Sequence, residues 1–266
     1  MPRAISPIVL LRQARALGAL LLVLAMACPW AFLPRDSWAR RGLAVLGWSV
    51  LLAGFGIRIR CLGRASRVGG TLFVANHVSW IDIAVLARLL DAGFVAKAEI
   101  GRWPVIGTLA RGYGCLFVER GLRADVRHQA YALDRHLSAA RSIILFPEGT
   151  TSDGKALRPF RSSMMAAAGR GDWPCVQPVT IRYRRRNGMP LDDGQRRGVA
   201  WLDDDALLPH AFALAGSGGV LAEIIYEEPV SASERKELAG LCQKAIAARL
   251  AEPEGDDQAA TLKRAA

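Results

Sequence analysis

A histidine and a carboxylate five residues apart are the groups in this 266-residue chain with the most chemistry to offer. They are His77 and Asp82 of Asn76-His77-Val78-Ser79-Trp80-Ile81-Asp82. A carboxylate that accepts the proton of one imidazole nitrogen fixes the tautomer and stabilises the imidazolium. The other nitrogen is then able to take a proton from a hydroxyl. On one continuous helix, five residues would put the two side chains about 140° apart. The pair meets only if His77 lies in a strand-to-helix turn and Asp82 in the first helical turn. Either Ser79 or Asn76 is suited to cap that helix, whose free N–H groups favour a nearby anion. By itself the spacing is common. His128, His136 and His210 share no ligand spacing with His77, so no metal is expected.

Two further segments carry chemistry. Phe146-Pro147-Glu148-Gly149-Thr150-Thr151-Ser152 joins one glycine to three hydroxyl residues after a buried strand, a loop able to approach a ligand and donate to it; the alternative is a simple turn. Arg120 follows the apolar Phe117-Val118, placed either as a phosphate fork or as a solvated loop arginine.

The elements needed to position these groups are legible as period and punctuation. Ile57, Ile59 and Cys61 alternate with Arg58 and Arg60, which predicts a strand with one buried face. Residues 71–75 predict a short strand ending at Asn76-His77, and Trp80 to Leu90 predict an apolar helix. Buried strands are expected at 94–96, 115–118, 143–146, 176–181 and 220–226, and a helix at 124–137. Ser231 to Leu250 predicts a helix, opened by a capping box of Ser231 and Glu234, with Leu238, Leu241, Ala245 and Ile246 on one face. Strands alternating with helices argue for an α/β fold, a sheet sandwiched between helices.

The chain divides by composition into apolar N-terminal helices over 1–54, a catalytic domain over 55–251 and a polar tail over 252–266, expected to be disordered. Ala16 to Leu33 carries no charge over 18 positions, just enough for a span, and Gly42 to Ile57 is uncharged over 16. A signal peptide, a single span, and a helical hairpin in one leaflet compete for this region. The last two put the remainder of the chain at the cytoplasmic face of the inner membrane. The five cysteines form no Cys-x-x-Cys pair and read as reduced, buried thiols. A net charge of +11 calls for anionic partners. Without a zinc-finger spacing or a stacking platform, nucleic acid is not expected; the apolar N-terminus points instead to membrane lipid.

The order of these motifs resembles a family. Asn-His-x-Ser-Trp-x-Asp is followed by Lys97-Ala98-Glu99 with Pro104 and Gly107, by Gly114-x-x-Phe-x-x-Arg120, by Phe-Pro-Glu-Gly-Thr and by Gln177-Pro178-Val179. Over residues 55–230 this is similar to the glycerolipid acyltransferases, typified by 1-acylglycerol-3-phosphate acyltransferase. The resemblance implies a mixed sheet flanked by helices and direct attack of a lysolipid hydroxyl on acyl-CoA or acyl carrier protein, with no other cofactor. His77 is then the base and Asp82 its orienting partner. Arg120, Glu148, Gly149 and Thr150 hold the acceptor head group, Lys97 supports it, and Asn76 and Ser79 shape the turn. The absence of a Gly-x-Ser-x-Gly elbow agrees with a mechanism lacking a serine ester. The acceptor expected first is lysophosphatidic acid. Ser163 departs from the pattern, standing where many members have glycine, and resembles the branch that acylates lyso-ornithine lipid. A non-catalytic lipid-binding protein and an acyl-ester hydrolase are the alternatives.

Overall fold

The computed structural model describes residues 6–118, 133, 135–161, 165, 175–202 and 205–252. Two long helices come first, α1 (Pro7–Phe32) and α2 (Trp38–Gly54), packed as a hairpin. α1 opens with proline at its first turn, where a missing N–H costs nothing. It therefore begins nine residues before the uncharged run that predicted it. Arg12 and Arg15 are accommodated because their side chains reach out to the carbonyls of Gly216 and Gly54. Pro29 lies inside the helix, one turn from its end, without terminating it. Ser37 caps α2 by accepting from the Arg40 N–H. α2 closes at Gly54. Gly56 turns left-handed (φ 72°), and the N–H of Ile57 returns to the Leu52 carbonyl.

Among the described residues, the domain behind the hairpin carries one seven-stranded sheet in the order β1-β7-β6-β2-β5-β3-β4. The strands are β1 (Arg58–Leu62), β2 (Thr71–Ala75), β3 (Ala92–Lys97), β4 (Leu116–Val118), β5 (Ser142–Leu145), β6 (Cys175–Arg184) and β7 (Leu221–Tyr226). All neighbours are parallel except β6 and β7. α3 (Trp80–Leu89), α4 (Ala98–Gly101) and α5 (Pro104–Gly112) follow β2 and β3. α6 (Asp193–Val199) and α7 (Leu207–Gly216) join β6 to β7, and α8 (Arg235–Ala251) ends the described chain. α6 and α7 have no counterpart among the sequence expectations.

β2 is buried along its whole length because both faces of the sheet are covered. Phe73 and Ala75 face a core with Ile81, Val85 and Ile144; Leu72 and Val74 face another with Ile143, Leu238 and Cys242. β6 carries Pro178 without losing a ladder bond, since pairing with β7 begins at Val179.

Several expectations need correction. β1 is an edge strand and its Cys61 is exposed, as is Cys28 on α1; among the five free thiols only Cys242 is fully buried. α8 begins at Arg235, so the Ser231 capping box is not formed and Glu234 occupies the cap. Leu241 is on the open side of α8, and Cys242 takes its place against the sheet. The helix expected at 124–137 lies mostly outside the described residues, although Leu133 and Leu137 are buried. The tail beyond residue 252 also lies outside them.

Candidate active site

β2 runs out of the sheet at Ala75, and α3 starts at Trp80 with Ser79 as its N-cap. The four residues between make the turn that brings His77 over Asp82. His77 Nδ1 lies 2.8 Å from Asp82 Oδ2. A carboxylate only accepts, so Nδ1 carries the proton and Nε2 presents its lone pair. The same Oδ2 accepts from the backbone N–H of Val78 (2.7 Å) and of Ser79 (2.9 Å). The other oxygen, Oδ1, accepts from the Tyr183 hydroxyl at 2.5 Å. Asp82 is inaccessible to solvent, and its carboxylate has all the donors it has room for. The Ser79 hydroxyl is buried and closes no well-formed hydrogen bond. The imidazole face is covered by Phe146, stacked at 4.0 Å.

Glu148 is where the second motif meets the first. One oxygen accepts from the His77 N–H (2.8 Å) and the other from the Arg158 N–H (2.9 Å). Burial raises its pKa above the usual carboxylate range, and the two N–H donors pull against that shift. Ser152 completes the link by donating its N–H to the His77 carbonyl at 2.8 Å. The motif loop and the His turn are thus one hydrogen-bonded unit.

Asn76 is buried, and its amide clasps both backbone groups of Ile181 on β6. Asn76, Ser79 and Glu148 therefore serve the scaffold of the turn; none of the three lines the main cavity. Gly149, Thr150 and Lys97 do line it, together with His77. Gly149 is left-handed (φ 78°), and a Cβ there would stand 3.3 Å from Arg161 Nε. Arg161 thus lies over the glycine of the loop, a placement the motif alone did not reveal. Arg120 lies outside the described residues. Gln177 ties three segments together: it accepts from the Ser66 N–H and donates to the carbonyls of Arg64 and Glu227.

The cavity itself has a volume of about 790 Å³ and is mostly apolar. It runs from His77 and Thr150 to Trp48 on α2 and to Val23 and Met26 on α1. One wall is the stretch Trp201-Leu202, pinned from three sides. Trp201 donates its N–H to the Val78 carbonyl, its carbonyl accepts from the Thr151 hydroxyl, and its indole donates to the Asp205 carbonyl. Next to it, His210 accepts from the Trp80 indole at 3.2 Å and donates to the Ala200 carbonyl at 3.0 Å.

Tyr183, the donor to Asp82 Oδ1, is the residue of this cluster absent from the sequence expectations. Its signal was present: Ile181 and Tyr183 alternate with arginines along a strand, and a buried phenol needs a hydrogen-bond partner.

Comparison with known proteins agrees with this architecture. Residues 57–182 match the family model Acyltransferase. The chain is 38% identical to a lyso-ornithine lipid O-acyltransferase of Pseudomonas aeruginosa, over 89% of this chain and 91% of that one. It is 36% identical to a 1-acyl-sn-glycerol-3-phosphate acyltransferase of Neisseria gonorrhoeae, over 45% of this chain and 46% of that one. The solved structure of the 1-acyl-sn-glycerophosphate acyltransferase PlsC from Thermotoga maritima superposes with a TM-score of 0.63 over 91% of this chain and 95% of its own. At 20% identity it bears on the fold alone. Likeness to the Pseudomonas protein over nine-tenths of its length places this chain in the acyltransferase family.

Proposed function

We propose that this protein moves a fatty acyl group from a thioester donor, acyl-CoA or acyl carrier protein, to the free hydroxyl of a lysolipid, and that lyso-ornithine lipid is its acceptor ahead of 1-acylglycerol-3-phosphate. One observation carries the reaction: His77, with its free Nε2, lies at the polar end of an apolar cavity long enough to reach the anchor helices. Nε2 takes the proton of the acceptor hydroxyl while its oxygen attacks the thioester carbonyl. The C–S bond then breaks, and the imidazolium returns the proton to the departing thiolate. Asp82 orients the ring and stabilises the imidazolium. Lys97, Gly149, Thr150 and Arg161 stand where the head group meets the cavity, and the family resemblance adds Arg120. Glu148, Asn76 and Ser79 hold the His turn.

The preference for lyso-ornithine lipid rests on the Pseudomonas relative. It is matched over nearly its full length, whereas the Neisseria phosphatidate-forming relative is matched over less than half of its own. The Ser163 departure from the phosphatidate pattern points the same way, though it lies outside the described residues.

α1 is long and apolar enough to cross a bilayer, yet both of its ends are tied to the domain. Near the start, Arg12 donates to the Gly216 carbonyl and Gln13 to the Phe212 carbonyl. Near the end, Trp30 stacks on Tyr113, and Arg40 bridges the carbonyls of Leu33 and Gly112. The ties are about 25 Å apart along the helix. A helix held at both ends by one folded body lies along its surface. The hairpin therefore sits in one leaflet, with Leu11, Leu17 and Leu21 toward lipid, and the domain stands at the cytoplasmic face, where thioester donors are made.

The test is purified protein in mixed vesicles with each lysolipid and each donor. Acylated lyso-ornithine lipid with matching thiol release is the expected result. Free fatty acid as the main product would assign a hydrolase, and vesicle binding without thiol release a lipid-binding protein. Turnover of lysophosphatidic acid alone would reverse the order of acceptors.

A further inference from the structure

The Asp82 carboxylate is reached from two elements far apart in sequence. Its Oδ2 is held locally, by His77 and by the two N–H groups at the start of α3. Among the described residues its Oδ1 is held only from β6, by the Tyr183 hydroxyl at 2.5 Å, and both groups are fully or almost fully buried. β6 is set at the right height by the Asn76 amide, which grips Ile181, two residues earlier and on the same strand face. The neighbouring arginines, Arg182 and Arg184, point the other way, to Glu223. From this geometry we infer that Tyr183 is a positioning residue of the acyl transfer: its hydroxyl makes a three-membered relay, Tyr183–Asp82–His77, that sets both the orientation of the carboxylate and how much negative charge it offers the imidazole.

The chemistry follows from the donors. Burial, and then the adjacent Asp82, hold the Tyr183 phenol well above its ordinary pKa, so it stays a donor throughout the working range. A strong O–H donor on Oδ1 draws charge away from Oδ2. Oδ2 is then the weaker competitor for the shared proton, so the proton taken from the acceptor stays on His77 and is available for the leaving thiolate. The third carboxyl or phenol in this cluster is Glu148, whose oxygens are engaged by the N–H groups of His77 and Arg158 and whose charge is felt by His77 and Asp82; it stays in place in every form compared below. The bland alternative is that the phenol has merely found the nearest acceptor. In that case its loss changes stability and leaves the pH dependence of turnover where it was.

This role rests on the acyl-transfer reading, and two opposite changes at one atom test it. Tyr183→Phe removes the donor while keeping the ring. Replacing Tyr183 with 3,5-difluorotyrosine keeps the shape and strengthens the donor. Steady-state turnover is measured across pH for both, with the unmodified protein beside them. Tyr183→Phe is expected to lower kcat roughly ten-fold with KM for the lysolipid little changed. Its acidic limb should move to higher pH, because a less restrained carboxylate favours the imidazolium. The fluorinated protein is expected to move that limb to lower pH. If Tyr183→Phe does not fold, the nearly isosteric fluorinated protein decides alone. Acidic limbs that coincide in all folded forms overturn the inference, as does a loss confined to KM. An unmodified protein that acylates no lysolipid removes the reaction itself and this role with it.

Discussion

At the His77 end of the cavity, the Asp82 carboxylate is saturated with donors, and the loop that carries Glu148 is bonded to the His turn at three points. At the hairpin end, the lining is Val23, Met26, Leu43 and Trp48, whose contacts are dispersion and whose outer faces are exposed leucines. The first end is rigid because any shift leaves a buried polar group unpaired, a cost of about 1–3 kcal/mol each. The second is adaptable because apolar contacts are non-directional and individually small. The contrast assigns chemistry to one end and chain accommodation to the other.

The sharpest way to separate the two ends is to break one without the other. His77→Ala removes the base while leaving the hairpin untouched. Acyl transfer should fall by roughly 10²–10⁴-fold, while flotation with vesicles stays at the level of the unmodified protein. Full transfer by that variant would end the base assignment. At the other end, Gly47→Leu puts a side chain into the cavity close to Met26, whose methyl is 4.0 Å from where a Cβ would stand. Turnover of long acyl donors should drop several-fold, with short donors spared. Equal loss for all chain lengths would mean that this end does not hold the acyl chain. Arg40→Ala tests the junction of the two. It leaves the Leu33 and Gly112 carbonyls without their donor, which should cost about 1–3 kcal/mol of stability in a denaturant titration.

The two ends also differed in how far they could be read from the residues alone. The His turn was legible because the apolar run of β2, the cap at Ser79 and the helical spacing after it leave one geometry in which His77 meets Asp82. What the chemistry-bearing motif could not disclose is which of its polar residues face inward. Asn76 and Glu148 carry side chains suited to a ligand, but the backbone groups of Ile181, His77 and Arg158 claim them first. For Asn76 that competition depends on β6, more than a hundred residues away, and for Glu148 on the His turn itself. Tyr183 was hidden for the same reason, being a strand residue whose partner, Asp82, lies on a helix about a hundred residues earlier in the chain. The hairpin failed differently. A run without charges does not mark where a helix starts, since Arg12 and Arg15 reach carbonyls that only the folded chain brings near. Cys61 was misplaced because edge strands and inner strands share the same alternation.

The smallest expected effect concerns the wall between the two ends. His210 accepts from Trp80, a residue of the catalytic motif, and donates to Ala200 beside the cavity wall, which requires the neutral ring. Its pKa is lowered, chiefly by burial. A group whose pKa is depressed on folding binds its proton more readily in the unfolded chain. The fold therefore loses stability as pH falls below the ordinary histidine value of 6.5 toward the lower folded value. His136, also lowered chiefly by burial, with Arg141 adding to it, acts with the same sign. The melting temperature should decline between about pH 7.5 and about pH 5. His210→Gln, whose amide can both accept from Trp80 and donate to Ala200, should make the decline shallower without abolishing it, because His136 remains. A decline of unchanged slope would show that His210 does not couple protons to this wall, and that the hydrogen bonds holding Trp201 in place are enough to keep the two ends of the cavity joined.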